Sequence, residues 1–213
     1  MKFDRNSLLL YAITDRTWLN GKSLAGEVEK VLQAGATFLQ LREKDLDKEH
    51  FLREAKEIKR LTDRYHVPFV INDDVEVAIA CGADGVHVGQ SDMQARDLRQ
   101  LFGPDKIIGV SARTVEQARI AKESGADYIG VGAVFGTTTK KDANQITFEE
   151  LREICASVEI PVVAIGGINE TNLMQLKGSG IDGISVISAI FAKPDAAAAT
   201  KNLLALAKAM KEA

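Results

Sequence analysis

The stretch Gln40-Leu41-Arg42-Glu43-Lys44 is the first in the sequence that could do chemistry. Alternate side chains of a strand share a face, so Gln40, Arg42 and Lys44 point one way and Leu39 and Leu41 the other. The leucines suit packing on helices. Burying the cations of the other face without partners would be costly. An anionic ligand would satisfy both, and a guanidinium can hold a phosphate through two parallel bonds. The competing explanation is a strand end with solvated charges.

Acidic residues follow at Asn72-Asp73-Asp74 and at Gly89-Gln90-Ser91-Asp92. Carboxylates on neighbouring loops can converge on magnesium, which takes one or two of them plus water and phosphate oxygens. Helix capping would explain one Asp at each place, but not the Asn72-Asp73-Asp74 cluster, so the metal reading stands slightly ahead. Ser111 suits a ligand hydrogen bond and a helix cap equally. His87 reads as a packed strand residue. The segment Thr137-Thr138-Thr139-Lys140-Lys141 offers three hydroxyls and two cations. Polar loops of this kind close over anionic substrates, though alone it would read as a surface turn. Gly166-Gly167 and Ile187-Ser188 end two further apolar runs, where backbone N–H groups can approach a phosphate. No Ser/His/Asp set at known spacing and no zinc pattern occurs. The polar groups suit two anions and a cation.

These residues need a scaffold that brings distant segments together. Short β-type runs lie at Leu8–Thr14, Phe38–Glu43, Pro68–Asp73, Gly85–Gly89, Ile107–Ala112, Tyr128–Val134, Pro161–Ile168 and Gly183–Ser188. Helical spacing separates them, as in Phe51, Ala55, Ile58 and Leu61. Continuous apolar strands between helices indicate a parallel sheet covered by helices. Eight such units predict an α/β fold, a single (β/α)8 TIM barrel spanning residues 1–213 as one catalytic domain. The rival, an open doubly wound sheet, would carry a Gly-rich turn after the first strand, where this chain has Thr14-Asp15-Arg16. Four junctions echo one another: Ala34-Gly35-Ala36-Thr37, Cys81-Gly82-Ala83-Asp84, Ser124-Gly125-Ala126-Asp127 and Ser179-Gly180-Ile181-Asp182. They precede the second, fourth, sixth and eighth strands. In such a barrel, chemistry belongs at the carboxyl ends of the strands, where phosphate is often bound after strands seven and eight.

Composition narrows the partners. The 213 residues carry a net charge of −3, with 46% apolar and 27% charged residues. A weakly acidic chain argues against nucleic acid, whose phosphates need a basic surface. The apolar run at Leu8–Ile13 is too short for a membrane span and lacks a signal-cleavage pattern. Cys81 and Cys155 suggest neither a metal site nor a disulfide framework. The expectation is a cytoplasmic protein acting on small molecules; a homo-oligomer is compatible with it.

In order along the chain, Gln40-Leu41-Arg42-Glu43-Lys44, Ile71-Asn72-Asp73-Asp74, Gly85-Val86-His87-Val88-Gly89-Gln90-Ser91-Asp92, Gly109-Val110-Ser111, Thr137-Thr138-Thr139-Lys140 and Ile165-Gly166-Gly167-Ile168 resemble the thiamine-phosphate synthase family. The resemblance runs from Tyr11 to Phe191. It implies a transferase of thiamine biosynthesis that uses Mg2+. By the same resemblance, Gln40, Leu41, Arg42, Glu43, Lys44 and Asn72 belong to the site for an aminopyrimidine diphosphate, with Ser111 and Lys140 in contact with it. Asp73 and Asp92 would bind the metal. Thr137, Thr138, Thr139, Gly167, Ile187 and Ser188 would serve the thiazole phosphate. Arg42, Lys44, Lys140 and Ser111 would be the catalytic set. The chain departs from the family at Gly136, where proline is usual, and at Ile181, where alanine is frequent. A tautomerase relative would need a general acid or base such as histidine near the fifth strand, where Ala112 follows Ser111. A silent ligand-sensing barrel would have lost Arg42, Lys140 or an acidic residue, and a phosphosugar epimerase or decarboxylase would need acid/base pairs at strand ends.

Overall fold

A computed structural model describes residues 4–89, 95–136 and 145–212. The eight apolar runs form β1 (Leu10–Ile13), β2 (Phe38–Leu41), β3 (Phe69–Asn72), β4 (Gly85–Val88), β5 (Ile107–Ala112), β6 (Tyr128–Val131), β7 (Val162–Ile165) and β8 (Gly183–Val186). All neighbours pair in parallel, and β8 closes on β1 through Tyr11 opposite Ser185. The expected TIM barrel is therefore present. Around it lie α1 (Leu24–Gln33), α2 (Lys48–Tyr65), α3 (Val75–Cys81), α4 (Ala95–Phe102), α5 (Val115–Glu123), α6 (Phe148–Ala156), α7 (Ser188–Phe191) and α8 (Ala196–Lys211).

Most of the strands are shorter than the runs that suggested them. β2 stops at Leu41 because the Arg42 amide donates to the Thr14 hydroxyl at 3.0 Å. One crossover also departs from expectation. Between β7 and β8 the chain makes only a 3-10 turn, Leu173–Leu176. Gly178 and Gly180, both at positive φ, follow within four residues and prevent its extension into a helix.

Strand alternation sorts the side chains into two apolar clusters. Leu39, Ile71, Val86, Ile108, Ile129 and Ile184 face the helices. Leu8, Tyr11, Ile13, Phe38, Val70, Ile107, Tyr128 and Val163 fill the barrel itself. Each such side chain contributes roughly 1.5–3 kcal/mol when fully buried. The interior is thus a packed core below and a cavity above.

The repeated junction has a geometric meaning. Gly35, Gly82, Gly125 and Gly180 all adopt positive φ, ending the segment before each even strand. The last residue of each motif then clamps the preceding odd strand. Thr37 Oγ1, Asp84 Oδ2, Asp127 Oδ2 and Asp182 Oδ2 accept from the amides of Leu10, Phe69, Ile108 and Val162 at 2.7–2.9 Å. Their own amides donate back to the carbonyls of the same four residues. The barrel's amino-terminal rim is stitched in pairs, which leaves the opposite rim for chemistry.

Helix starts are capped by Ser23, Asp47, Asp74, Thr114, Thr147 and Asp195, each accepting from a backbone amide of the first turn. Such caps contribute about 1 kcal/mol apiece. Cys81 and Cys155 are both free thiols, and burial, helped by Asp182, pushes Cys155 up to about 12. Among the described residues no helix is long and apolar enough to cross a membrane.

Candidate active site

The carboxyl ends of the strands surround one cavity. Gln40 and Arg42 reach it from β2, Asn72 from β3, His87 from β4, and Ser111 and Arg113 from β5. Gly167 comes from the turn after β7, and Ser185, Ile187 and Ser188 from β8 and the start of α7. Seven residues singled out in the sequence therefore meet there: Gln40, Arg42, Asn72, Ser111, Gly167, Ile187 and Ser188.

Lys44 and Asp73 stand at the rim, paired at 3.3 Å. The strand has ended before Lys44, so it does not continue the inward face of Gln40 and Arg42, and its side chain is 54% exposed. The side chains of Leu41 and Glu43 face away from the cavity. Leu41 is fully buried in the helix-facing cluster, and Glu43 is bound by Arg16 at 3.1 Å beside Glu54. Burial pushes Glu43 above the usual carboxylate range; Arg16 pulls it down and Glu54 adds to the rise. Asp92, Thr137, Thr138, Thr139 and Lys140 lie outside the described residues.

The ambiguity at Asn72-Asp73-Asp74 resolves by position. Asp74 caps α3 by accepting from Val77 at 2.8 Å. Asp73 sits at φ +62, a left-handed conformation that Asp tolerates, with its amide on the His87 carbonyl at 2.9 Å. That leaves its carboxylate at the mouth, where Oδ2 accepts from Asn72 at 2.6 Å. Among the described residues no hydrogen bond reaches Oδ1. A hard oxygen donor in this place fits magnesium, which asks few protein ligands and completes its shell with water and phosphate. Among the described residues no cluster of three or more His, Cys, Asp or Glu could form an all-protein metal centre.

Arg42 is 19% exposed and lies 3.6 Å from the Asp15 carboxylate. That contact orients the guanidinium without a hydrogen bond of normal length, and Arg42 lines the cavity. Ser111 has no capping role, because Thr114 caps α5. Instead, Ser111 Oγ is 3.0 Å from His87 Nε2. His87 Nδ1 lies 2.9 Å from the Tyr128 hydroxyl, which lies 2.9 Å from that of Tyr11. Tyr11 accepts from Gln40 Nε2 at 2.5 Å. Burial pushes both phenols above their ordinary range, so they remain protonated.

His87 is thus a cavity residue, not the packed strand histidine its isolation suggested. Alternation carries the signal, because Val86 and Val88 take the helix side and leave His87 facing in. Space for this row comes from missing side chains. A Cβ on Gly109 would lie 2.2 Å from the Tyr128 ring, and one on Gly130 would lie 3.2 Å from His87. Sequence reasoning also passed over Ser185, whose buried hydroxyl has no hydrogen-bond partner among the described residues. An orphaned hydroxyl costs about 1–3 kcal/mol, and this one lines the cavity.

The Gly166-Gly167 turn is more constrained than phosphate contact alone requires. The residues have φ +101 and +66, and any Cβ there would strike Ala133 or the Gly136 carbonyl. Val134 and Phe135 donate to the carbonyls of Ile165 and Gly166 at 3.0 Å. The segment after β6 is therefore fastened to the turn after β7. Beside this junction a second recess is lined by Gly167, Ser188 and the Lys193–Glu170 ion pair.

A closed parallel barrel with guanidinium, amide and carboxylate groups around its carboxyl-terminal mouth belongs to the class of barrel enzymes that act on anionic small molecules. The model of a family described as thiamine monophosphate synthase matches residues 10–190. Thiamine-phosphate synthase of Clostridium tetani is 49% identical over 194 residues, covering 91% of this chain and 93% of that one. The protein of the same name from Ruminiclostridium cellulolyticum is 49% identical over 195 residues, covering 92% and 93%. The solved structure of thiamine phosphate pyrophosphorylase from Pyrococcus furiosus superposes with a TM-score of 0.89 at 41% identity, covering 97% of this chain and 98% of that one. The chain belongs to the thiamine monophosphate synthase family and is a transferase.

Proposed function

We propose that this enzyme makes thiamine phosphate by joining an aminopyrimidine that carries a diphosphooxymethyl group to a thiazole that carries a phosphooxyethyl group, releasing pyrophosphate. The convergence of Gln40, Arg42, Asn72 and Ser111 on one cavity, next to Gly167 and Ser188, is the observation that supports it most. Gln40 and Ser111 take the pyrimidine ring. Arg42, Lys44, Asn72 and Lys140 take the diphosphate, with Leu41 and Glu43 contributing through the backbone of the same stretch. Thr137, Thr138, Thr139, Gly167, Ile187 and Ser188 take the thiazole phosphate. Asp73 and Asp92 hold Mg2+, which when bound neutralises charge on the leaving pyrophosphate.

The ring amino group pushes electrons toward the CH2–O bond, which breaks with its electron pair leaving on pyrophosphate. The thiazole nitrogen then donates its lone pair to the pyrimidine cation. Arg42, Lys44 and Lys140 stabilise the departing charge, and the barrel mouth holds the two rings together. No proton moves in the bond-forming step, so the site needs cations and positioning more than a general base. Ile13, Ile165 and Ile187 form apolar walls that keep water from capturing the cation. The substrates are small and water-soluble, in keeping with a cytoplasmic enzyme that needs neither nucleic acid nor membrane.

A coupled pyrophosphate-release assay tests the reading. Release should require both substrates and Mg2+, with thiamine phosphate formed in equal amount. Release that persists without the thiazole phosphate would overturn it.

A further inference from the structure

Two adjacent glycines leave the turn after β7 without a backbone preference of its own. Gly166 and Gly167 have no room for a Cβ, and glycine samples positive and negative φ with similar ease. Nothing in the turn itself therefore fixes which way its peptide groups face. Two side chains of the next segment do so. Asn172 Nδ2 and Asn169 Nδ2 donate to the Gly167 carbonyl at 2.9 and 3.2 Å, which fills both lone pairs of that oxygen. The other end of each side chain sets its orientation. Asn172 Oδ1 accepts from the Asn169 amide at 2.8 Å. Asn169 Oδ1 accepts from the amide and the hydroxyl of Thr171 at 2.9 and 2.7 Å. A backbone N–H only donates, so neither side-chain amide can be turned over.

The segment closes on itself without these bonds to Gly167. The amides of Asn172 and Leu173 donate to the Asn169 carbonyl at 3.3 and 3.1 Å. Asn172 stands at the start of the 3-10 turn Leu173–Leu176 and makes no capping bond there. Its side chain reaches back five residues to Gly167 instead. In a trans peptide the carbonyl and the N–H that follows it point opposite ways. With the Gly167 oxygen held by the asparagines, the Ile168 N–H faces away from them. Among the described residues no hydrogen bond leaves the amide of Gly167 or of Ile168. Both residues border the main cavity and the recess beside Ser188.

We propose that Asn172, seconded by Asn169, is a positioning residue for the thiazole phosphate: it turns the Gly167 carbonyl away from the anion and so aims the Ile168 N–H at it. The inference deepens the thiazole-phosphate reading given above and rests on it. A flipped Gly167–Ile168 peptide would present the negative end of its dipole to the phosphate. The two asparagines thus decide whether the turn attracts the anion or repels it.

Steady-state kinetics on the full chain, with each substrate varied in turn, provide the test. Asn172→Ala should raise KM for the thiazole phosphate by about tenfold, the loss expected for one hydrogen bond to a charged group. KM for the pyrimidine diphosphate and kcat per folded molecule should stay at wild-type values. Asn169→Ser keeps an acceptor for the Thr171 amide and removes only the longer bond to Gly167, so its effect should run the same way and be smaller. An unchanged KM for the thiazole phosphate in Asn172→Ala overturns the proposal. So does an equal rise in both KM values, which is the mark of a loosened fold. The parent reading is checked separately in the wild type: if thiazole phosphate is used no better than the same thiazole with a free hydroxyethyl group, that reading falls and takes this inference with it. Should the variants not fold, proton NMR of the wild type with Mg2+ and pyrophosphate decides. Thiazole phosphate should move the Ile168 amide proton downfield and the unphosphorylated thiazole should not; a resonance that moves with neither, or equally with both, overturns the proposal.

Discussion

The Asp127 carboxylate accepts the amide hydrogen of Ile108 at 2.7 Å, while the Asp127 amide donates to the Ile108 carbonyl at 2.8 Å. One residue so ties the entry of β6 to the start of β5. Its carboxylate also holds Arg99 at 2.6 Å. Asp127→Ala leaves the Ile108 amide without its side-chain acceptor and takes the carboxylate from Arg99, which keeps the carbonyls of Gly103, Lys106 and Gly125, at a cost of about 2–3 kcal/mol. Asp127→Asn keeps an acceptor and should lose less. The clamp lies on the rim opposite the cavity, so kcat and KM per folded molecule should stay at wild-type values. Urea unfolding and steady-state kinetics on the same samples check both halves.

The two cations of the β2 end are not equivalent. Arg42 is oriented by Asp15 inside the cavity, whereas Lys44 is at the rim on Asp73. Arg42→Ala should lower kcat/KM by about 100- to 1000-fold, the usual loss when a donor aimed at developing charge is removed. Lys44→Ala should lose clearly less, because its charge is partly screened by solvent. Arg42→Lys should recover only part of the rate, since an ammonium cannot make two parallel bonds. Melting temperatures within a few degrees of wild type would separate these effects from unfolding.

Metal removal should separate activity from stability. The backbone of Asp73 is held by the His87 carbonyl and Asp74 caps α3, and neither contact involves a metal. Chelation is expected to abolish turnover and leave the thermal unfolding midpoint unchanged. Asn tolerates the left-handed conformation of position 73. Asp73→Asn should therefore fold normally while raising the magnesium concentration for half-maximal rate by about 10- to 100-fold, the range typical of weakened metal coordination. A titration of rate against magnesium measures it.

All eight strands were legible because continuous apolar runs between helical patterns have few other solutions. The Gly35, Gly82, Gly125 and Gly180 junctions were legible as a repeat, but not as clamps. A side chain that binds an amide of the neighbouring strand, distant in sequence, leaves no local signature. The cavity residues at strand ends, Gln40, Arg42 and Ser111, were visible as polar breaks in apolar runs. His87 and Tyr128 were not, because an aromatic in a strand is ordinarily core, and only their convergence through Gly109 and Gly130 makes them polar partners. Strand alternation extended past Leu41 points Lys44 inward, but the strand ends at Leu41 and Lys44 lies at the rim.

Glu43 gives a pH signature with a definite sign. Burial raises its pKa above the ordinary 4.5. Between the ordinary and the raised value the folded state binds more protons than the unfolded one. Stability from this group therefore falls as pH rises through that interval and is constant above it. Glu43→Gln removes the titration. The difference in unfolding free energy, wild type minus Glu43→Gln, should shift against the wild type as pH climbs from about 4.5 and then level off. A flat difference between pH 4 and 7 would mean that Arg16 fully offsets the burial of the carboxylate.

Gly166 couples the turn after β7 to the segment leaving β6. Its φ of +101 strains any other residue, and an added Cβ would lie 2.6 Å from Ala133 Cα, which is backbone and cannot swing aside. The conformational penalty alone is about 1–2 kcal/mol, and the clash must also displace the Phe135–Gly166 hydrogen bond. Gly166→Ala is expected to lose at least about 2 kcal/mol of stability and to raise KM for the thiazole phosphate more than for the pyrimidine, because the turn borders Gly167 and Ser188. Gly136→Ala is the matched control. It has ordinary φ and, among the described residues, nothing within 4 Å of the added carbon, so its stability should stay within about 0.5 kcal/mol of wild type. Equal losses in the two variants, measured by chemical denaturation, would show that the segment from Ala133 to Gly136 and the β7 turn are not mechanically joined.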